Sequence, residues 1–301
     1  MPDDNITLLD GAMGTELERR GVDAPLPLWS AAALINTPEE VEQIHLDYLN
    51  AGADTVTTCT FRTHRRSLAK AGFGDRAREL THLAVEIARS ARDRVRPEAL
   101  LLGGIAPLED CYQPELCPSD EECRAEHAEI ISHLLEADVD LILIETQNTA
   151  REAIAAAEVA HRLAPGRWIM SFIMKTDGPP GTLLHGAPMV DVLPVLKSAY
   201  AIGVNCMHAP AIASQLRLFR TLLPDSVRLV AYGNSGHVDE TGHWSEREQV
   251  PAEIFARHAM DWVDAGATMI GGCCGTTPAT IHAIARALGR RPGAPTPSVA
   301  Y

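Results

Sequence analysis

The chain has 301 residues, of which 46% are hydrophobic, 22% charged and 5% aromatic. This composition is typical of a folded globular protein and excludes a disordered, collagen-like or coiled-coil chain. The 40 acidic and 26 basic residues give a formal net charge of −14, so we expect neither nucleic acid nor a membrane as a partner. The N-terminal sequence Met-Pro-Asp-Asp-Asn lacks the basic and apolar regions of a signal peptide, which predicts a cytoplasmic protein.

Short apolar segments alternate with amphipathic ones along the whole chain. Eight segments have the nearly continuous apolar character of parallel strands that are buried on both faces. These predicted strands are residues 7–10, 55–61, 100–105, 141–145, 168–174, 201–206, 228–232 and 268–272. The predicted helices between and after them are residues 38–51, 75–94, 119–137, 149–164, 189–198, 209–223, 251–265 and 278–288.

Eight strands that are each followed by a helix predict an α/β fold of the (β/α)8 TIM barrel type. The alternative is an open, doubly wound sheet, which typically has fewer strands and a Gly-x-Gly-x-x-Gly sequence after the first one. No such sequence occurs here. Because no low-complexity linker interrupts the pattern, we predict a single barrel domain over residues 1–289. Residues 290–301 contain three prolines and no periodicity, which predicts a flexible C-terminal tail.

Three cysteines follow the predicted strand ends, where active sites of TIM barrels lie. Cys206 ends the sixth strand, and Cys273 and Cys274 follow the eighth. Neighbouring residues on a regular strand point to opposite faces, but the flanking glycines allow the backbone to turn so that both sulfurs face one point. Three thiolates suit zinc with an open fourth position. The alternative, three buried cysteines without a ligand role, requires three independent placements at two strand ends.

Three of the other four cysteines show a different pattern. Cys111, Cys117 and Cys123 follow the third strand at six-residue spacing. Zinc-ligand pairs usually lie two to four residues apart. This spacing therefore predicts structural cysteines.

Two sequence segments resemble the signature of the homocysteine S-methyltransferase family. They are Gly-Val-Asn-Cys at 203–206 and Gly-Gly-Cys-Cys-Gly-Thr-Thr-Pro at 271–278. Residues 9–17 and 54–61 resemble the same family, and the likeness extends from about residue 6 to 288. The resemblance implies a zinc-dependent (β/α)8 barrel in which Cys206, Cys273 and Cys274 bind Zn²⁺. It also implies small-molecule substrates, namely homocysteine and a methyl donor.

The resemblance further implies a set of substrate-binding residues. Glu145 matches the acidic residue that holds the homocysteine ammonium, Asp10 would share this task, and the Gly11 N–H would hold the carboxylate. Thr60 and Asn234 are weaker candidates, since polar residues at strand ends often bond only to loop backbone. Alternatively, Glu145 is a charge at a helix start and Asp10 is a turn-forming residue.

The predicted activity is methyl transfer from a cationic donor to the thiol of homocysteine, which forms methionine. S-Methylmethionine is the preferred donor, followed by S-adenosylmethionine and betaine. One alternative is the same chemistry on a different small thiol. Another is a non-catalytic barrel that binds zinc or thiols. A homo-oligomer is possible in either case.

Overall fold

The structure is a computed structural model that describes residues 5–238, 244–245 and 249–290. Its strands are β1 (Thr7–Leu8), β2 (Thr55–Thr57), β3 (Leu100–Ile105), β4 (Leu141–Gln147), β5 (Trp168–Phe172), β6 (Ala201–His208), β7 (Arg228–Asn234), β8 (His237–Val238), β9 (Trp244–Ser245) and β10 (Ala267–Gly272). Its α-helices are α1 (Gly14–Arg19), α2 (Ala31–Asn36), α3 (Pro38–Ala51), α4 (Arg65–Ala69), α5 (Ala77–Val95), α6 (Asp120–Glu136), α7 (Ala150–Leu163), α8 (Ala209–Leu222), α9 (Ala252–Asp264) and α10 (Pro278–Ala287). The strands β8 and β9 form a separate antiparallel pair.

The other eight strands form one parallel sheet in the order β1-β10-β7-β6-β5-β4-β3-β2. The two end strands meet through Asp54, whose N–H donates to the Leu8 carbonyl at 2.7 Å and whose Oδ2 accepts from the Leu8 N–H at 2.8 Å. Two residues beyond Leu8 and three beyond Asp54, the Thr57 N–H donates to Asp10 Oδ2 at 2.7 Å. Two aspartate side chains therefore supply hydrogen bonds where strand pairing stops, and the sheet curls into a nearly closed barrel. The predicted (β/α)8 TIM barrel is confirmed.

The barrel interior is filled by apolar side chains from alternate strand positions. This cluster consists of Leu9, Leu102, Leu141, Leu143, Ile169, Ala201, Val230, Tyr232 and Met269. A larger apolar layer lies between the strands and the surrounding helices. Because the interior of the barrel is packed, as in other TIM barrels, a ligand of the barrel would bind towards the ends of the strands.

One predicted helix is wrong. Residues 189–198 form two short 3₁₀ turns, Met189–Asp191 and Leu193–Val195, in place of one α-helix. Pro194 lies within the segment, and proline both lacks the N–H for an internal helical hydrogen bond and clashes with the preceding turn. The other seven predicted helices are present as α-helices within a few residues of their predicted bounds.

Several strand ends also differ from the prediction. The first two strands end at Leu8 and Thr57, earlier than predicted, whereas β4, β6 and β7 each extend two residues further. Glu145 and Cys206 consequently lie inside strands and not directly at their ends. Of the predicted tail, only Arg290 is among the described residues. None of the helices in the described ranges has both the length and the apolar character that crossing a membrane requires.

Candidate active site

The three cysteines predicted as metal ligands lie together. The sulfurs of Cys206, Cys273 and Cys274 are all within 4.8 Å of one another, and the Cys206 and Cys274 sulfurs are 3.9 Å apart. Cys206 is on β6, while Cys273 and Cys274 follow β10, so the barrel joins positions that are 67 and 68 residues apart in sequence. The cluster can hold a metal ion, because it presents three thiol sulfurs to one point.

The turn that carries Cys273 and Cys274 depends on glycine. A Cβ on Gly272 would lie 2.2 Å from Thr276 Oγ1, and a Cβ on Gly271 would lie 2.6 Å from Leu9 Cβ. Gly275 adopts a φ of +75°, which costs little only for glycine. The close backbone approach allows the Cys273 N–H to donate to the Gly233 carbonyl at 2.7 Å. The chain thereby leaves the strand geometry, and two adjacent cysteines contribute to one cluster.

Cys206 has an unusual backbone and close polar contacts. Its φ of +55° lies in the left-handed region, which is uncommon for residues with a side chain. Its sulfur lies 3.2 Å from the Tyr112 hydroxyl. Hydrogen bonds from Cys273 and Cys274 hold the pKa of the Cys206 thiol well below its ordinary value, and the Asn234 side chain also lowers it. Cys206 is therefore the most acidic thiol of the cluster, since the same hydrogen bonds raise the pKa of Cys273 and Cys274.

The cluster borders a cavity of about 770 Å³ at the mouth of the barrel. Asp10, Gly11, Glu145 and all three cysteines line this cavity. Its walls further include the apolar and aromatic residues Met13, Leu26, Trp29, Phe61 and Tyr112. A small substrate in this cavity would meet both the sulfurs and the carboxylates.

Glu145 is held by residues of neighbouring strands. Its side chain accepts a hydrogen bond from Tyr232, whose hydroxyl is 2.6 Å from Ser171 Oγ. Ser171 donates to Asn205 Oδ1 at 2.8 Å, and Asn205 in turn accepts from the Thr146 N–H at 2.9 Å. Burial, reinforced by the negative charges of Cys206 and Asp10, raises the pKa of Glu145 to about 8. The network fixes a carboxyl group that forms no ion pair with a lysine, arginine or histidine of the described residues.

Asp10 is buried beside the barrel seam. Its two oxygens accept from the Thr57 N–H at 2.7 Å and from the Thr57 hydroxyl at 2.8 Å. Burial raises its pKa to about 6, and the Thr57 hydrogen bonds oppose this rise. Next to it, a Cβ on Gly11 would lie 2.6 Å from the Tyr48 ring. The absence of a side chain at Gly11 therefore allows Tyr48 to pack directly beneath the loop.

Two predicted substrate-binding residues lie elsewhere. Thr60 is buried, and its hydroxyl donates to the Gly104 carbonyl at 2.7 Å. Asn234 is buried behind the cluster, where it bonds to Cys206. Neither residue is among those that line the cavity. The structure thus brings Asp10, Gly11 and Glu145 to the cavity with the cysteines, and it places Thr60 and Asn234 outside it.

Comparison with known proteins identifies the family of this chain. A sequence profile of the homocysteine S-methyltransferase family matches residues 7–288. The chain belongs to this family. Homocysteine S-methyltransferase of Escherichia coli (strain K12) is 34% identical over 300 residues, covering 93% of this chain and 94% of the relative. Selenocysteine methyltransferase of Astragalus bisulcatus is 28% identical, covering 93% and 92%.

A solved structure of this family has the same fold. The crystal structure of the homocysteine methyltransferase MmuM from Escherichia coli, metallated form, aligns with a TM-score of 0.79 and 32% sequence identity. The alignment covers 93% of this chain and 95% of that chain. As a homocysteine S-methyltransferase family member, the protein is a methyltransferase enzyme.

Two site residues in this family member were not expected from the sequence. Tyr112 contacts Cys206, and Tyr232 contacts Glu145. Tyr112 lies in the long loop after β3, whose path has no periodic signal. For Tyr232 the sequence contains one indication of a role in the site, because this residue lies near the end of an apolar strand that opens onto the cavity. Both contacts join elements that are distant in sequence.

Proposed function

We propose that this chain transfers a methyl group from a cationic donor to the thiol of homocysteine and thereby forms methionine. We propose S-methylmethionine as the preferred donor, with S-adenosylmethionine and betaine next. One observation carries the proposal: three cysteine sulfurs and two buried carboxyl groups face the same cavity. The sulfurs suit a metal and a thiol, and the carboxyl groups suit an ammonium.

We assign Cys206, Cys273 and Cys274 as the ligands of a Zn²⁺ ion. Zinc–sulfur bonds of about 2.3 Å in a tetrahedral site put two ligand sulfurs about 3.8 Å apart, and the Cys206 and Cys274 sulfurs are 3.9 Å apart. Three cysteines leave one of four positions for a substrate, as in catalytic zinc sites. A zinc ion at this position supplies one property, the deprotonation of a bound thiol at neutral pH.

The carboxyl groups would bind the amino-acid end of homocysteine. Glu145 and Asp10 are both buried, and burial raises the pKa of each because the charged form is poorly solvated. A substrate ammonium would supply the missing positive charge, and it would favour the carboxylate forms. Tyr232 and Thr57 hold these carboxyl groups in place, and the Gly11 N–H is the proposed donor to the substrate carboxylate.

The same cavity favours a cationic methyl donor. Trp29 and Phe61 pack edge to face in its wall with ring centroids 5.6 Å apart, and aromatic faces attract sulfonium and quaternary ammonium groups. In the reaction, the donor's bond to its methyl carbon breaks, and a new carbon–sulfur bond forms at homocysteine. The donor leaves as a neutral thioether or amine group, and the thiol proton is released.

A second candidate is the same transfer to a different small thiol or selenol. The similarity to a selenocysteine methyltransferase favours this candidate, because a selenol differs from a thiol mainly at the atom that receives the methyl group. The residues that hold the amino-acid end would serve both acceptors.

The experiment is to supply the zinc-loaded protein with homocysteine and each donor separately and to follow methionine by mass spectrometry. Parallel reactions replace homocysteine with cysteine or selenocysteine. We expect the fastest methionine formation with S-methylmethionine. Methylation of selenocysteine but not homocysteine would assign the second function, and no methylation with any pair would contradict both.

A further inference from the structure

A second group of metal-ligating side chains lies outside the cavity. The sulfurs of Cys117 and Cys123 and a carboxylate oxygen of Glu152 are all within 4.8 Å of one another. Cys117 follows the short 3₁₀ turn after β3, Cys123 is in the first turn of α6, and Glu152 is in the first turn of α7. The group therefore joins a loop and two helices that are separate in sequence. Spacing between the cysteines alone did not indicate it, because Glu152 lies 29 residues beyond Cys123.

Glu152 is positioned as metal-binding carboxylates usually are. It is 1% exposed, and its Oε1 accepts from the Leu108 N–H at 2.7 Å. The same oxygen is 2.9 Å from Nε2 of His127, which is fully buried. Outer partners of this kind fix the orientation of ligating side chains in metal sites. Of the residues that the structure describes, no lysine or arginine forms an ion pair with Glu152, so a bound cation would supply charge that this carboxylate otherwise lacks.

The two thiols are arranged to become metal ligands. A hydrogen bond joins the sulfurs of Cys117 and Cys123. The Thr149 hydroxyl is 3.3 Å from the Cys117 sulfur. Cys117 is half-buried whereas Cys123 is fully buried. Cys117 is thus the thiol through which an ion would enter the group.

We infer that Cys117, Cys123 and Glu152 form a second metal site, which takes a divalent ion of the zinc class. Two thiolates and one carboxylate are a ligand set that zinc accepts, with a water as the fourth ligand. Thiolates favour such ions over magnesium or calcium. The site is structural, because Cys117, Cys123 and Glu152 line no part of the cavity.

The second site would stabilise a loop that reaches the first. Residues 109–117 carry Tyr112, whose hydroxyl contacts Cys206. The Asn148 side chain donates to the Cys111 carbonyl at 3.0 Å, and the first residue of the loop, Glu109, forms ion pairs with Arg66 and Lys70. A metal ion bound by Cys117, by Cys123 in α6 and by Glu152 in α7 would link this loop to both helices and reduce its motion. Metal binding by this second group does not depend on the proposed methyl transfer.

The test is a Cd²⁺ titration of the reduced, metal-free protein, followed by thiolate-to-metal absorbance and by metal content after gel filtration. We expect two Cd²⁺ per chain in the wild type and one in the variant that combines Cys117→Ser with Cys123→Ser. The control is Cys59→Ser, which removes a buried thiol that belongs to neither group. This variant should still bind two Cd²⁺ per chain. Cys206→Ser loses the other ion, which separates the two sites.

A subtler variant tests the role of His127. His127→Phe removes the contact to Glu152 while it keeps a ring in the helix interface, and the affinity of the second ion should fall roughly 10- to 100-fold. A cooperative thermal transition would show that the variant folds. Equal Cd²⁺ stoichiometry in the wild type and the Cys117→Ser, Cys123→Ser variant would overturn the inference, whatever the outcome at Cys206.

Discussion

At the residue scale, the site depends on which hydrogen bonds and charges compensate for the burial of each polar group. Glu145 and Asp10 bond to Tyr232 and Thr57, respectively, and within the described part of the chain neither carboxyl group forms an ion pair. Buried charges are costly unless they are paired. We therefore expect substrate binding and the ionisation of these two carboxyl groups to be coupled.

Glu145→Gln tests the ammonium contact. The amide keeps the shape of the side chain and loses its charge, so the KM for homocysteine should rise while the zinc content stays unchanged. Losing a hydrogen bond between charged groups costs about 1.5–3 kcal/mol, which corresponds to a rise of roughly 10- to 100-fold. Glu86→Gln, on the exposed face of α5, is the matched control. An unchanged KM in Glu145→Gln would remove the assigned role.

Cys273→Ser tests the sulfur cluster. A serine hydroxyl is a poor zinc ligand, so metal content and methyl transfer should both fall. The loss of an outer hydrogen-bond partner lowers metal affinity or activity roughly 10- to 100-fold, and the loss of a ligand should have a larger effect. Tyr112→Phe provides that comparison, because it removes only the hydroxyl next to Cys206. Metal content is measured by mass spectrometry of the purified protein. Full metal content and activity in Cys273→Ser would contradict the ligand assignment.

At the element scale, the turn between β10 and α10 decides whether two adjacent cysteines can serve one site. Gly272 contacts Thr276, and the Thr276 hydroxyl donates to the Cys273 carbonyl at 2.7 Å. The Tyr48 hydroxyl donates to the Ala12 carbonyl at 2.8 Å and is 3.1 Å from the Thr276 carbonyl. The turn is thus held by α3, by the β1 loop and by its own side chains.

Gly272→Ala should disturb this turn. Its Cβ would lie 2.2 Å from Thr276 Oγ1, and overpacking of a buried site costs about 1–3 kcal/mol. We expect a lower free energy of unfolding by that amount and weaker zinc binding, since Cys273 follows directly. Gly178→Ala is the control, because a Cβ there has nothing within 4 Å. Chemical denaturation and a zinc titration measure both effects, and equal values for the two variants would show that the turn tolerates a side chain.

At the scale of the whole molecule, stability depends on groups that folding keeps uncharged. His45 in α3 is fully buried, and neither of its ring nitrogens has a hydrogen-bond partner among the residues that the structure describes. Burial lowers its pKa from 6.5 to about 3. Between these values the unfolded chain binds a proton that the folded chain does not, so the free energy of unfolding decreases as the pH falls below 6.5.

The variant His45→Phe measures how much His45 contributes to this decrease in the free energy of unfolding. From pH 6.5 to 5, His45 should reduce the free energy of unfolding by about 1.6 kcal/mol, because the slope approaches 1.36 kcal/mol per pH unit only below the pKa of the unfolded imidazole. The difference between the wild type and His45→Phe should change by this amount over that range, because other titrating groups cancel. Urea denaturation at several pH values gives the difference. A constant difference would mean that folding does not lower the pKa of His45.

The sequence by itself determined the barrel and the identity of its chemistry. Alternating apolar and amphipathic segments report burial directly, because strands and helices have different side-chain periods. Cys206, Cys273 and Cys274 were predicted to converge because parallel strands end at one face of a barrel. The predicted helix at 189–198 is wrong because Pro194 lacks the N–H that a continuous helix requires, although the apolar pattern is helical.

Only the tertiary structure decided which polar groups face the cavity. Thr60 and Asn234 lie at strand ends like Glu145, but their bonds to Gly104 and Cys206 place them outside it. The contacts of Tyr112 with Cys206 and of His127 with Glu152 join distant elements. Sequence periodicity specifies which face of an element is buried. The partner of a buried polar group depends on how the elements pack, since a shift of one ångström is enough to make or break a hydrogen bond.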